Sequence, residues 1–274
     1  MSLRLLHPPS LGAPREVAPA AGGAPSPDPE DDLAALYAHP LPAPGRAARL
    51  RANLVTTVDG AAAGADASSR SISGPTDLRV LVLLRSLADV VLVGAGTARS
   101  EGYGPLRVRP SLRSRRSALG QASAPALAVV TRSGRLPDGL LGPGTDGGPV
   151  LAVTCARAGD AALGRLRSAL GDDGVLVAGH DDVDLAAAVA ALADRGLPRV
   201  LCEGGPALLR DVVAAGLLDE LCLTTSPLLV AGDGPRALVG AAVGARLELA
   251  SLLLADDDGG TLLGRWLVRR SRSA

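Results

Sequence analysis

The sequence predicts an α/β protein, a sandwich of helices around a mostly parallel central sheet. Three observations carry this reading. Short apolar runs at residues 126–130, 150–154 and 175–178, each bounded by glycine or proline, read as strands. The intervening segments 161–170 and 185–193 have helical length and apolar spacing. Two further apolar runs end in glycine turns that lead directly into helix-forming sequence.

Composition excludes several classes. The chain has 274 residues, 47% of them hydrophobic, enough to bury a full core. All 28 basic residues are arginine and the net charge is zero. With aromatics at 1%, scattered arginines do not make a base-stacking surface, so no nucleic-acid partner is expected. Cys155, Cys202 and Cys222 lie far apart without a C-x-x-C pair and read as buried structural thiols, so no metal is expected. The apolar start at residues 1–6 is too short for a secretory signal. The longest apolar stretch, residues 80–93, is interrupted by Arg85 and Asp89, so no membrane span and a cytoplasmic location are expected.

In chain order, residues 1–45 read as a mostly irregular N-terminal extension. Residues 12–29, rich in proline, alanine and glycine, are expected to be extended or mobile, and residues 31–38 to form one short helix with acids in its first turn. Residues 46–274 read as the globular domain. Residues 49–58 form a strand running into the Asp59-Gly60 turn. Ser73, Gly74, Pro75, Thr76 and Asp77 read as a helix start, with a capping hydroxyl and proline in the first turn, and the helix runs to about Leu87. The apolar run from Val90 to Val93 then meets Gly94-Ala95-Gly96-Thr97, where Thr97 is expected to cap the next helix. Residues 139–149 read as the most flexible internal loop. Residues 199–202 form another strand, closed by Glu203-Gly204-Gly205-Pro206, and the helix after it sets Leu208, Leu209, Val212 and Val213 on one face before Gly216. Residues 221–225 and 262–268 complete the strands.

Ligands of open α/β sheets bind beyond the carboxyl ends of the strands. Three such ends carry suitable atoms: Gly94 to Thr97, Thr131-Arg132-Ser133, and Glu203 to Pro206. Two glycine turns can cradle a pyrophosphate through backbone N–H groups, and Arg132 between hydroxyls suits a further phosphate such as the 2′-phosphate of NADPH. Taken alone, Thr131 to Ser133 reads first as an ordinary solvated turn. A Rossmann fingerprint fails, because Gly94-Ala95-Gly96-Thr97-Ala98-Arg99 lacks the third glycine and sits in mid-chain. There is no lysine for a P-loop and no zinc-deaminase pattern. His7, His39 and His180 are scattered and support neither a metal site nor a triad.

Together, Val55-Thr56-Thr57-Val58-Asp59-Gly60, Ile72-Ser73-Gly74-Pro75, Leu84-Arg85, Val93-Gly94-Ala95-Gly96-Thr97, Glu203-Gly204-Gly205-Pro206 and Ala215-Gly216-Leu217-Leu218-Asp219-Glu220-Leu221 resemble the reductase domain of riboflavin biosynthesis over roughly residues 50–268. The resemblance implies a dihydrofolate-reductase-like three-layer sandwich and a homodimer. It implies NADPH-dependent reduction of a ribosylaminopyrimidine 5′-phosphate, 5-amino-6-(5-phosphoribosylamino)uracil, without the deaminase activity that many members carry in a preceding domain. It sets the cofactor against Thr56, Gly94, Gly96, Thr97, Glu101, Thr131, Arg132, Ser133 and the turn Gly204, Gly205, Pro206, Ala207, Leu208. Substrate is then held by Asp59, Arg85, Leu106, Arg109 and Glu203. Plainer roles stand beside these: Arg85 as a surface ion pair, Arg109 as a solvated member of an arginine-rich run, Asp59 as the shaper of an Asp-Gly turn.

Two departures bear on the substrate. Ser71 stands where many relatives have tryptophan, and the acid-x-Pro-x-Leu segment is stretched to Glu101-Gly102-Tyr103-Gly104-Pro105-Leu106. The implied chemistry is hydride transfer from the nicotinamide to the sugar C1′ of an open-chain imine or carbonyl form. A water held by Asp59 or Glu203 is one proton source, but the sequence assigns no general acid. The alternatives are a pterin such as dihydrofolate as substrate, another small carbonyl compound, or a non-catalytic NADPH-binding protein.

Overall fold

The computed structural model describes residues 3–7, 15–17, 31–142, 147–256 and 258–270. Its elements run β1 (Leu3–His7), β2 (Arg15–Val17), α1 (Asp31–Leu36), β3 (Arg49–Thr57), α2 (Pro75–Leu87), β4 (Val90–Gly94), α3 (Ala95–Ser100), α4 (Pro110–Ala118), β5 (Ala126–Val130), β6 (Val150–Thr154), α5 (Asp160–Leu170), β7 (Val175–Val177), α6 (Leu185–Asp194), β8 (Arg199–Cys202), α7 (Pro206–Ala214), β9 (Leu218–Ser226), β10 (Arg246–Ala255) and β11 (Thr261–Arg269).

Among the described residues eleven strands form one sheet in the order β2-β1-β10-β11-β9-β3-β8-β4-β5-β6-β7. From β9 to β7 every pairing is parallel. The sheet continues from β9 through β11, β10 and β1 to β2 with antiparallel pairing.

The continuous apolar runs follow from covering both faces of the parallel half. Successive side chains of a strand point to opposite faces. Val91, Val93, Leu127 and Val129 therefore enter one core with α1, α2, α4 and α5, while Val90, Leu92, Ala126 and Ala128 enter a second core with α6 and α7. A strand buried on both faces shows no polar alternation. The result is three layers, helix, sheet and helix, as the sequence implies.

Several elements differ from the sequence reading. Leu3–His7 and Arg15–Val17 are strands joined to the sheet edge, where irregular chain is expected; β1 pairs with β10 through backbone hydrogen bonds that no side-chain pattern announces. The remainder of 12–29 lies outside the described residues, as do 143–146 of the loop expected to be flexible. Strand β10 and helix α4 are unforeseen. In α4, Pro110 opens the helix as its first-turn proline, but Leu112 is the only apolar residue of its two buried positions. The other is Arg116, whose guanidinium donates to Ser86 O at 3.0 Å, Ala88 O at 2.6 Å and Ala122 O at 2.7 Å.

Buried arginines also fasten the amino-end side of the sheet's centre. At the amino ends of β4 and β8, Asp89 accepts from Arg199 N at 2.9 Å and from Gln121 Nε2 at 2.7 Å. Under α1, Arg51 is fully buried, forms an ion pair with Glu220 at 2.9 Å, and donates to Tyr37 O and Ala38 O, both at 2.7 Å. Removing Arg51 takes from the buried Glu220 carboxylate its shortest ion pair, leaving the longer ones to Arg49 and Arg265 at 3.6 and 3.8 Å, and takes the donor from two carbonyls. Arg51→Ala is expected to cost about 3–5 kcal/mol of unfolding free energy, read from urea midpoints. Arg4→Ala, at an exposed pair with Asp256, is expected to cost less than ~1 kcal/mol.

Cys155, Cys202 and Cys222 are buried and unpaired, as the sequence reading has them. Burial pushes the thiols of Cys202 and Cys222 up to about 12. Since the thiolate is the reactive form, the folded protein should react negligibly with a disulfide reagent over the time in which the urea-unfolded chain titrates three thiols.

Candidate active site

The two glycine turns come together because β4 and β8 are adjacent parallel strands. The Gly94 N–H donates to Gly204 O at 2.8 Å. Gly204 has φ of +82°, and the Gly204–Gly205 peptide is cis. No side chain fits where the turns meet: a Cβ on Gly205 would lie 2.4 Å from Thr97 Oγ1. At Gly96 the turn opens, since a Cβ there would meet nothing within 4 Å. Helix α7 starts at Pro206 with Gly205 as an N-cap that offers no side-chain bond. The N–H groups of Ala207 and Leu208, in the first turn, therefore lack helical partners, and both residues line the cleft beside the turn.

That cleft is a hollow of about 830 Å³. One wall is α2, which presents Asp77, Leu81 and Arg85 at successive four-residue intervals. Glu203 ends β8 with its side chain 4% exposed, and Arg85 grips it with two bonds, Nε to Oε1 at 2.7 Å and Nη2 to Oε2 at 2.6 Å. The Tyr103 hydroxyl donates to the same Oε2 at 2.6 Å, and the Arg85 guanidinium lies 5.3 Å from the Tyr103 ring centroid. Burial opposes the charge on Arg85, but the bonds and charge of Glu203 outweigh it and raise its pKa. Burial and then the Glu203 charge push the Tyr103 phenol upward too. Arg85, Glu203 and Tyr103 thus form a locked polar floor.

Of the residues expected at the site, Gly94, Gly96, Thr97, Glu101, Gly205, Pro206, Ala207, Leu208, Arg85, Leu106 and Glu203 line this cleft, and Gly204 supports the turn beneath it. Others are placed differently. Thr97 does not cap α3; Gly94 does, because the helix begins where the strand stops and Thr97 falls inside its first turn. Thr56 is buried in β3 in register with Thr225, while its neighbours Asn53, Leu54 and Val55 reach the cleft. Glu101 faces the cleft but is engaged by Ser69 N at 3.0 Å, Ser69 Oγ at 3.1 Å and Ser68 Oγ at 3.3 Å, so it holds the 3-10 turn Ser69–Ser71.

Asp59 lies outside the cleft. It accepts from the Thr57 hydroxyl and from Val230 N and Ala231 N at 3.1 and 2.7 Å, bonds that lower its pKa with Thr57 foremost, and it shapes a separate hollow. Arg109 is the residue before α4 and is exposed; Arg107 lines the cleft instead, two residues earlier on the same alternation. Thr131, Arg132 and Ser133 follow β5, one strand beyond β4, and do not line the hollow. The Thr131 hydroxyl is spent on Arg135 N and O, both at 3.2 Å, and Arg132 is 67% exposed in a loose pair with Asp182. Sequence reasoning missed Tyr103 and Asp77 as lining residues. The spacing of Asp77 from Arg85 is the signal that could have found Asp77; Tyr103 sits in a stretched segment with no periodicity to read.

Fold and cleft together define a three-layer α/β protein whose cleft lies at the carboxyl ends of its parallel strands. Comparison with known proteins makes this particular: the RibD C-terminal domain family matches residues 48–258, and the chain belongs to that family. It is 31% identical over 187 residues to the 2,5-diamino-6-ribosylamino-4(3H)-pyrimidinone 5′-phosphate reductase of Methanothermobacter thermautotrophicus, covering 68% of this chain and 81% of the relative. The enzyme of the same name from Archaeoglobus fulgidus is 26% identical over 184 residues, covering 67% of this chain and 82% of the relative. Among solved structures, a pyrimidine reductase-like protein from Corynebacterium diphtheriae superposes with a TM-score of 0.73 at 27% identity, covering 82% of this chain and 93% of the other.

A hydrogen bond to a charged group contributes about 1.5–3 kcal/mol. Tyr103→Phe should lower unfolding free energy by about that much, whereas Ser100→Ala at the exposed rim should stay within about 0.5 kcal/mol; paired urea denaturation curves measure both.

Proposed function

We propose that the protein reduces a ribosylaminopyrimidine 5′-phosphate with NADPH, as a step of riboflavin biosynthesis. The observation that carries this reading is the joining of two glycine turns across one cleft from the Arg85–Glu203–Tyr103 floor. The turns fit a dinucleotide: Gly96 leaves open space, and the first N–H groups of α7, on residues that line the hollow, lack helical partners. Gly94, Gly96, Thr97 and Gly205 to Leu208 would hold the pyrophosphate and nicotinamide side of the cofactor. Arg132, exposed beyond the next strand, would meet its 2′-phosphate. NADPH, when bound, supplies the hydride.

The chain's own residues supply position and exclude water. Glu203 would hold the pyrimidine amino groups in an orientation fixed by Arg85 and Tyr103. Leu106 and Leu81 would cover the base, and Arg107 at the rim would meet the sugar phosphate in the role expected of Arg109. Asp59 and Thr56 act through β3 and its following loop and not by contact. A homodimer and a cytoplasmic location go with this reading; among the described residues no helix is long and apolar enough to cross a membrane.

The relatives are named for the diaminopyrimidinone substrate, so that compound and 5-amino-6-(5-phosphoribosylamino)uracil are to be compared directly. NADPH oxidation is expected with at least one of them and not with dihydrofolate; turnover of dihydrofolate alone would overturn the substrate. In binding titrations Arg132→Ala should raise the Kd for NADPH about tenfold or more, the loss of one charge-assisted contact of roughly 1.5–3 kcal/mol, and leave NADH within about twofold. Equal loss for both cofactors would remove Arg132 from the 2′-phosphate.

A further inference from the structure

The reduction proposed above consumes a proton as well as a hydride, and the cleft contains no histidine or lysine to give one. Its acids are Asp77, Glu101 and Glu203. Glu203 is taken up by Arg85 and Tyr103, and Glu101 by Ser68 and Ser69. The Tyr103 proton is already given to Glu203. Asp77 differs. It is 4% exposed on the cleft face of α2, the Ser73 hydroxyl donates to its Oδ2, and its Oδ1 is buried with no hydrogen-bond partner among the described residues. A buried carboxyl oxygen with nothing to accept from is the arrangement of a group that carries a proton on that atom and donates it to something entering the cavity.

We propose that Asp77 is the proton donor of this reductase, giving its Oδ1 proton to the ribosyl ring oxygen of the substrate. The proposal rests on the reading of substrate and cofactor given above. As the C1′–O bond breaks, its electron pair goes to the ring oxygen, which takes the Asp77 proton; the lone pair of the exocyclic nitrogen forms the C1′=N bond. A nicotinamide hydride added at C1′ completes the two-electron reduction to the open-chain amine, and solvent returns a proton to Asp77. Asp77 and the glycine turns line the same hollow, so a sugar bound there would lie within one cavity with the proton source and the turns that would hold the cofactor.

The surroundings are consistent with a carboxyl that holds its proton. Burial pushes the Asp77 pKa up, the bond from Ser73 and the neighbouring Thr224 hydroxyl pull it down, and the carboxylates of Asp258 and Glu203 push it up again, for a net rise. Asp258 stands at the start of α2, closed against Gly74, where a Cβ would lie 2.3 Å from its Oδ2. Glu203 is compensated by Arg85. The sign follows: a raised pKa keeps the acid form to higher pH, so turnover that uses this proton is full below the folded-state pKa and falls as pH rises through it.

The test has three arms. In the unaltered protein, kcat with the ribosylaminopyrimidine phosphate is followed against pH; Asp77→Asn should lower kcat about 10²–10⁴-fold with KM and NADPH affinity within about threefold. Asp258→Asn, which removes a like charge, should move the alkaline limb of the profile to lower pH, and Ser73→Ala, which removes a bond to the charged form, should move it to higher pH. Infrared titration of the ligand-free protein, assigned by difference against Asp77→Asn or against Asp258→Asn if the first variant does not fold, should find a carboxyl losing its proton above the usual aspartate value of ~3.9. An Asp77→Asn enzyme within threefold of the parent kcat, a limb unmoved by both neighbouring substitutions, or a normally titrating carboxyl would overturn the proposal. No turnover of either pyrimidine phosphate by the unaltered protein would instead overturn the function on which it rests.

Discussion

One backbone contact sets the geometry of everything at the cleft. The Gly94 N–H reaches Gly204 O only because β4 and β8 run parallel and side by side. In the register that sets Leu92 opposite Cys202, Gly94 falls opposite Gly204, so α3 and α7 begin side by side. Glycine is required there by distance: a methyl on Gly205 would overlap Thr97, and Gly204 occupies the left-handed region that favours glycine. With the turns joined, Glu203 emerges one residue before them and is delivered to the cleft floor, where α2 meets it with Arg85. The floor is thus a consequence of strand adjacency.

The interior polar chemistry is written almost wholly in arginine. A planar guanidinium with five donors can bind a carboxylate and still serve nearby carbonyls. Arg51 does this under α1, Arg116 serves three carbonyls between α4 and α2, and Arg85 closes on Glu203 with two bonds. The chain's two tyrosines, Tyr37 and Tyr103, both sit in such clusters. Tyr37 offers its carbonyl and Tyr103 its hydroxyl and ring face. With aromatics so few, these clusters do the orienting that large rings do elsewhere, and they separate into a structural set at the amino ends of β4 and β8 and a cleft set at the carboxyl ends.

Much of this was legible in the sequence, and the failures have physical causes. Apolar runs and glycine punctuation report burial on both faces, so the parallel half of the sheet and its glycine turns could be read directly. The antiparallel extension could not: β1 is held by backbone pairing to β10, and pairing across more than 240 residues leaves no local trace. In α4 a buried arginine took the place that a periodicity argument reserves for leucine. At the site, motif order found Arg85, Leu106 and Glu203, but not what each touches. Asp59 reads alike whether it meets a ligand or clamps Val230 and Ala231, since both uses need the same carboxylate in the same turn. Tyr103 entered through a segment whose length departs from the family pattern, which is where local rules are weakest.

The sheet ends in short strands on both sides, β2 and β7 having three residues each. Short margins offer little backbone for a stray chain to join. Next inward from β2 and β1 lies β10, ten residues long and carrying Leu252, Leu253 and Leu254. The family match begins only at residue 48, and a protein trimmed to that boundary would bare the stretch of β10 from Leu252 to Ala255 that β1 covers. Such a shortened chain would be left with a sticky ribbon as its border, so the first strand works as a selvedge: it keeps the woven edge from catching on its neighbours.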